Sequence, residues 1–175
     1  ISVCEKNGSF CFVLCDGLGG HGKGEVASAL VAKSICESFN SCDDIESFFG
    51  SALLEVQEKL LAEQKRQNDP YAMKTTAVVL CVYDGKARYA HIGDSRLYHF
   101  RRAKLIERTL DHSVPQMLVL AGDIKEKKIR NHPDRNRLLR VMGTEWDGIK
   151  YELSDEKELK DGDSFLLCSD GFWEP

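Results

Sequence analysis

The sequence predicts an α+β fold in which helices cover an antiparallel sheet system. Three observations carry this. Two long amphipathic runs follow one another in the first third of the chain, each with apolar residues at helical spacing. From residue 75 onward the period changes to that of strands, punctuated by turn residues. No second parallel strand follows the first helix, as a doubly wound fold would need. With 175 residues and 42% hydrophobic content the chain can bury one sizeable core, so residues 1–175 are read as one domain.

The first element is the run Phe10 to Cys15, apolar at odd and even positions alike, which as a strand is buried on both faces. Ala27, Val31, Ile35 and Phe39, with Leu30 beside them, make residues 25 to 39 an amphipathic helix. A second helix, 44 to 67, gathers Ile45, Phe48, Phe49, Ala52, Leu53, Val56 and Leu60 on one face, with Asp43 and Glu46 as a capping box. Thr75 to Tyr83 is β-branched and apolar, Asp84-Gly85 is a hairpin signal, and Lys86 to Ile92 returns. Leu97 to Arg101 and Lys104 to Thr109 form another hairpin. A short helix opens at Ser113-Val114-Pro115 and ends at Gly122, the cap positions that favour Pro and Gly. Residues 123 to 137 are dominated by charge, and His132-Pro133 breaks any helix there, so the stretch reads as a surface flap. Leu138 to Met142 and Ser164 to Cys168 are further short strands, the second preceded by the turn Asp161-Gly162.

Composition narrows the partners. A net charge of −4 gives no case for nucleic acid or an anionic membrane surface. No apolar run approaches the roughly twenty residues of a membrane span. Seven cysteines, none in a Cys-x-x-Cys pair, disfavour zinc; Cys11, Cys15, Cys36, Cys81 and Cys168 lie in apolar segments and read as buried free thiols of a cytoplasmic protein. Ile1 is not a methionine and Asp170-Gly171-Phe172-Trp173-Glu174-Pro175 stops within a motif, so the chain is expected to be the middle of something longer.

The chemistry centres on Asp16, where the first strand stops at a carboxylate. Five glycines lie among the next eight residues. Gly17-x-Gly19-x-x-Gly22 fits the dinucleotide fingerprint, but the acid twenty residues on is Glu37, inside a helical pattern. A connector turn is the second reading. A metal site with Asp16 as ligand is the third and leads, because other acids share its setting. Asp170 ends Phe165 to Cys168 and, like Asp16, is followed by glycine, as if two strands ended side by side. Asp94 lies in Gly-Asp-Ser-Arg, which also reads as a turn with an internal ion pair, and Asp111 precedes a helix whose N-terminus favours a carboxylate. Two carboxylates a few ångströms apart repel unless a cation joins them, and an all-oxygen set suits Mg²⁺ or Mn²⁺. Among the histidines, His91 and His99 read as packing or surface residues and His112 as local turn chemistry; only His21, beside the glycine loop, is linked to a reaction.

Six ordered motifs carry a resemblance: Asp16-Gly17-Leu18-Gly19-Gly20-His21 with Gly24-Glu25, Thr75-Thr76-Ala77, Gly93-Asp94-Ser95-Arg96-Leu97, Asp111-His112-Ser113, Gly122-x-Ile124, and Ser169-Asp170-Gly171-Phe172-Trp173. Together they closely resemble the metal-dependent serine/threonine phosphatases of type 2C, in particular their bacterial branch. The resemblance implies a four-layer αββα sandwich, two antiparallel sheets flanked by helices on both faces. It implies two Mn²⁺ or Mg²⁺ ions, with a third, weaker site. Asp16 then bridges two ions, Gly17 offers its carbonyl, Asp170 is a second ligand, Asp111 holds the third ion and Glu174 stands near it, while Asp94 belongs to the turn motif. Asp16 and Asp170 are thus the expected catalytic residues. The implied reaction is in-line attack of a metal-bridging hydroxide on phosphoserine or phosphothreonine in proteins phosphorylated by a partner kinase. Residues 123 to 137 fall in the family's flap, which influences substrate choice. Leu18 stands where the eukaryotic branch has a histidine. The family's phosphate-binding arginine and Glu-Asp pair are expected before Ile1, and its last metal-binding aspartate beyond Pro175. A catalytically inactive regulatory or interaction domain on the same fold is the alternative, which paired Asp16 and Asp170 argue against.

Overall fold

The computed structural model describes residues 1–19, 23–69 and 71–174; the His21 expectation therefore lies outside the described residues. Among the described residues nine strands and four α-helices follow in chain order: β1 Ser2–Lys6, β2 Ser9–Leu14, α1 Gly24–Ser41, α2 Ile45–Arg66, β3 Ala77–Tyr83, β4 Lys86–Ile92, β5 Arg96–Arg101, β6 Lys104–Arg108, α3 Val114–Ala121, β7 Glu152–Leu153, β8 Lys157–Glu158, β9 Asp163–Cys168 and α4 Asp170–Trp173. The larger sheet runs β1-β2-β3-β4-β7, with β8 also on β4, and the smaller one β6-β5-β9. Every pairing is antiparallel.

The hairpins close where the sequence supplies residues that tolerate left-handed backbone. Asp84 and Gly85 have φ of 46° and 71°, and Arg102 and Ala103 have 50° and 60°, the paired positive angles of a two-residue turn whose twist matches its strands. Asn7 and Gly8, at 53° and 80°, join β1 to β2 in the same way. β1 is an element the sequence reading passed over, although Asn-Gly is a strong hairpin signal.

The two-sided burial expected of the central strands is met by two separate cores. Cys11, Val13, Ala77, Val79 and Cys81 point toward the helices, where Val31, Ile35, Phe39, Phe49, Val56 and Leu60 pack on them. Each such side chain contributes about 1.5–3 kcal/mol when taken out of water. The alternate residues Phe12, Val78, Leu80 and Val82 face the smaller sheet, meeting Leu97, Phe165 and Leu167. Cross-strand register aligns Cys4 with Cys11 and Cys11 with Cys81. All seven thiols are free.

Two local expectations are corrected. The cap of α2 is Asp44, whose carboxylate accepts the Ser47 N–H at 2.8 Å, and not Asp43 with Glu46; Asp44 has the extended backbone a cap residue needs. Leu138 to Met142 is not a strand: it touches its neighbours through isolated bridges, Leu138 to Ser113 and Met142 to Thr75. The short helix α3 has the expected ends, Ser113 accepting the Gln116 N–H and Gly122 at φ 83°. Within the charged flap a 3-10 turn spans Glu126–Asn131 and stops before His132-Pro133.

Candidate metal centre

Strand register alone brings three carboxylates to one end of the sandwich. Leu14 pairs with Val78 and Ala77 with Ile92, so Asp16, Thr76 and Gly93 all leave the larger sheet at the same edge. The link from β4 to β5 crosses to the smaller sheet there, carrying Asp94 with it. Arg96 pairs with Cys168, so Asp94 and Asp170, each two residues further along, come off the same end of β5 and β9. A cavity of about 460 Å³ opens at this point, walled by Asp16, Gly17, Thr76, Asp94, Asn136 and Asp170 among others.

The backbone around Asp16 is held on both sides. Its N–H donates to Thr76 Oγ1 at 3.0 Å, and its carbonyl accepts from the Thr76 N–H and from Thr75 Oγ1, both at 2.9 Å. Thr76 Oγ1 lies 2.8 Å from Ser95 Oγ, which ties the Thr-Thr motif to Gly-Asp-Ser-Arg. Gly93 sits at φ 103°, and a Cβ there would fall 2.6 Å from Thr76 Cγ2. Gly17 faces Thr75 as a non-hydrogen-bonded pair, since the flanking bonds run from Leu18 N–H to Lys74 and from Thr76 N–H to Asp16. Its own carbonyl is thereby turned away from that pairing. The start of α1 rests on this backbone: a Cβ on Gly17 would lie 2.1 Å from the Gly24 carbonyl oxygen.

The carboxylates burden one another. Burial first, and then the charge of Asp170 and a hydrogen bond with it, raise the Asp16 carboxyl above the usual carboxylate range. Asp94 is pushed up to about 7, by burial and then by the charges of Asp170, Asp111 and Asp16. Asp170 Oδ1 accepts the Gly171 N–H at 2.7 Å. An all-oxygen donor set in which the acids disfavour each other's ionisation suits hard divalent cations such as Mn²⁺ or Mg²⁺. The residues present therefore fit such a group.

The geometry separates the expected site residues by their place relative to the cavity. Asp111 does not face the cavity. Arg96 grips it with both prongs, Nε to Oδ1 at 2.7 Å and Nη2 to Oδ2 at 2.6 Å, and its side chain is 1% exposed. Each of its oxygens accepts one prong of the fork, and the pair lies off the cavity wall. Asp94, read from the sequence as part of a turn, is the acid that lines the cavity beside Asp16 and Asp170. Glu174 is turned toward the flap, 3.5 Å from Arg135 Nε, and is not on the cavity wall. Leu18 does line the wall, and so do Asn136 and Leu138. Asn136, in the charged stretch, carried no sequence signal of its own; Asp94 did, through the same setting that marked Asp16 and Asp170.

A second group, His91, His112 and Glu152, also brings ligand-type atoms within 4.8 Å of one another. The rings stack 4.7 Å apart at 18° to each other. His112 Nδ1 accepts the Gly93 N–H at 3.2 Å, and His91 Nε2 lies 2.8 Å from the Leu110 carbonyl. Burial lowers both histidines, His112 to about 4, and Arg140 approaches Glu152 at 3.7 Å. With one nitrogen of each ring bonded to backbone and His112 Nε2 3.1 Å from Glu152, this group braces the 93–94 and 110–112 segments, in keeping with the turn chemistry expected of His112.

Fold and cleft together define a carboxylate-lined site between two antiparallel sheets. The family model described as protein phosphatase 2C matches residues 2–174, and the chain belongs to that family. It is 30% identical over 174 residues to "Serine/threonine phosphatase stp" of Listeria monocytogenes serotype 4b, covering 95% of this chain and 68% of that protein. Among solved structures, the serine/threonine phosphatase Stp1 from Staphylococcus aureus superposes with a TM-score of 0.88 at 30% identity, over 99% of this chain and 70% of that one. The catalytic domain of the serine/threonine protein phosphatase PstP in complex with two manganese ions superposes with a TM-score of 0.78 at 28% identity, over 99% and 72%. Two antiparallel sheets with accompanying helices are the fold these structures share with the chain.

Proposed function

We propose that this chain is the catalytic domain of a metal-dependent protein serine/threonine phosphatase, and that Asp16, Asp94 and Asp170, with the Gly17 carbonyl, hold its divalent ions. The observation that carries this reading is the convergence of three mutually repelling carboxylates at one sandwich edge. When bound, Mn²⁺ or Mg²⁺ would supply an activated water and neutralise charge on the phosphoryl oxygens. The chain's own part is to place the donors. Thr75 and Thr76 fix the Asp16 backbone so that its side chain alone is free for the cleft. Asn136 offers the phosphoryl group a neutral amide on the flap side of the cavity. Leu18 brings no titratable group to the wall. No helix among the described residues is long and apolar enough to cross a membrane. With seven free thiols, a reducing cytoplasm is the compartment we propose.

Hydrolysis of a phosphothreonine peptide by the protein carrying this chain is expected with Mn²⁺ or Mg²⁺ and to disappear in excess chelator. Undiminished turnover in chelator would sink the metal reading. The flap adds a substrate expectation. Lys125, Lys127 and Arg130, with Arg96, Trp173, Ile129 and a Glu126 that is paired with Arg108, line a second cavity of about 540 Å³ beside the cleft. We propose that it receives acidic residues flanking the phosphorylated site of a kinase target. Reversing Lys125, Lys127 and Arg130 to Glu should raise KM for an acid-flanked phosphopeptide by about tenfold, on the scale of ~0.5 kcal/mol per surface charge. Hydrolysis of p-nitrophenyl phosphate should be unchanged. An equal effect on both substrates would refute the docking role.

A further inference from the structure

The acid expected to bind metal, Asp111, instead begins a buried relay that ends at two of the acids that do line the cleft. Asp111 and Arg96 are 5% and 7% exposed, and their fork-to-fork pair fixes the guanidinium plane. The remaining prong, Arg96 Nη1, donates to the Tyr98 hydroxyl at 3.1 Å. The guanidinium lies over the Trp173 ring, 3.4 Å from its centroid. The indole N–H of Trp173 in turn donates to the Asp94 carbonyl at 3.3 Å. Trp173 also closes the single turn of α4 that begins with Asp170. One aromatic side chain therefore touches the backbone of one cleft acid and shares a helical turn with another.

We propose that Asp111, Arg96 and Trp173 are positioning residues that set the distance between Asp94 and Asp170. The inference rests on the reading of the cleft as a metal centre, but its geometry stands without an ion. Asp94 leaves β4 in a loop and Asp170 opens a one-turn helix, and such segments are weak ties by themselves. The stacked Arg96–Trp173 pair supplies a rigid crosspiece, because a desolvated guanidinium over an indole is among the stronger cation–π arrangements. Asp111 keeps that guanidinium charged, oriented and satisfied in a buried place. The Asp-His-Ser, Gly-Asp-Ser-Arg and Asp-Gly-Phe-Trp stretches are thereby joined physically without each contributing a ligand.

The test is Trp173→Phe, which keeps a smaller aromatic face under Arg96 and removes the indole N–H that reaches Asp94. Mn²⁺ uptake is followed by loss of the free-ion electron paramagnetic resonance signal. The expected result is an affinity about fivefold weaker than wild type, the scale of one lost hydrogen bond, with an unfolding midpoint in chelator lowered only slightly. Arg96→Lys, which loses the fork, should weaken uptake similarly, and the double variant should be little worse than either. Wild-type affinity in Trp173→Phe, or simple additivity of the two changes, would overturn the proposal. An arm without metal guards against failure of the wider reading. The indole N–H of Trp173, identified by its absence in Trp173→Phe, should exchange slowly with solvent in the chelated wild type and faster in Arg96→Lys. If the wild type takes up no Mn²⁺, the metal reading falls and this exchange rate decides the brace alone; fast exchange in wild type overturns it.

Discussion

Asp16→Asn is expected to lower phosphopeptide turnover by about a hundredfold or more at saturating Mn²⁺, the scale of losing a preorganised charged group. The substitution is nearly isosteric. Both backbone groups of Asp16 are held by Thr75 and Thr76, so the amide stays where the carboxylate was and only the charge is lost. Removing that charge also relieves repulsion with Asp170, so the metal-free fold should be at least as stable as wild type. Loss of activity together with an unchanged or raised unfolding midpoint is the expected pair of results. Wild-type turnover in Asp16→Asn would remove Asp16 from the reacting centre.

What the sequence made legible is what local chemistry decides. Asp84-Gly85 and Gly122 demand left-handed backbone, and Ser113 with Pro115 marks a helix start, so those boundaries fall where the residues require them. The run Phe10 to Cys15 showed two-sided burial because its neighbours on both faces are apolar, and from Cys11 onward the two cores bear that out, whereas Phe10 at the strand's start is exposed. Leu138 to Met142 misled for the same reason: an apolar stretch states that it is buried, not that it pairs, and here only Leu138 and Met142 form bridges.

The cleft was half legible. Asp16 and Asp170 each end a buried strand before a glycine, which marks a carboxylate reaching a surface from a rigid base. Asp94 and Asp111 both sit in polar tetrapeptides, and nothing local separates the ligand-like acid from the paired one. The deciding partner of Asp111 is Arg96, fifteen residues away, brought into reach because Thr109 N–H bonds back to the Leu97 carbonyl and His112 N–H to that of Gly93. The start of β5 thus runs beside the 109–112 segment, a pairing absent from the periodicity of either stretch. Glu174 faced the same ambiguity, and one turn of α4 carried it to Arg135.

Asp111→Asn and Asp94→Asn should therefore act in opposite ways, although both remove one charge near the cleft. Asp111→Asn leaves the Arg96 guanidinium buried with its counter-charge gone, and truncating one partner of such a pair typically costs about 3–5 kcal/mol. Against a total stability of ~5–15 kcal/mol, that is a large share, and the chelated protein should unfold at much lower urea concentration. Asp94→Asn removes a carboxylate that burial and three neighbouring acids already disfavour, so the chelated protein should gain stability. Its cost should appear only with metal, as weaker Mn²⁺ uptake and a higher Mn²⁺ concentration for half-maximal activity. Urea unfolding in chelator, set beside Mn²⁺ titration of the same two variants, separates the roles. An Asp111→Asn protein as stable as wild type but weak in Mn²⁺ uptake would return Asp111 to the ligand set. A destabilised Asp94→Asn protein with normal uptake would remove Asp94 from it.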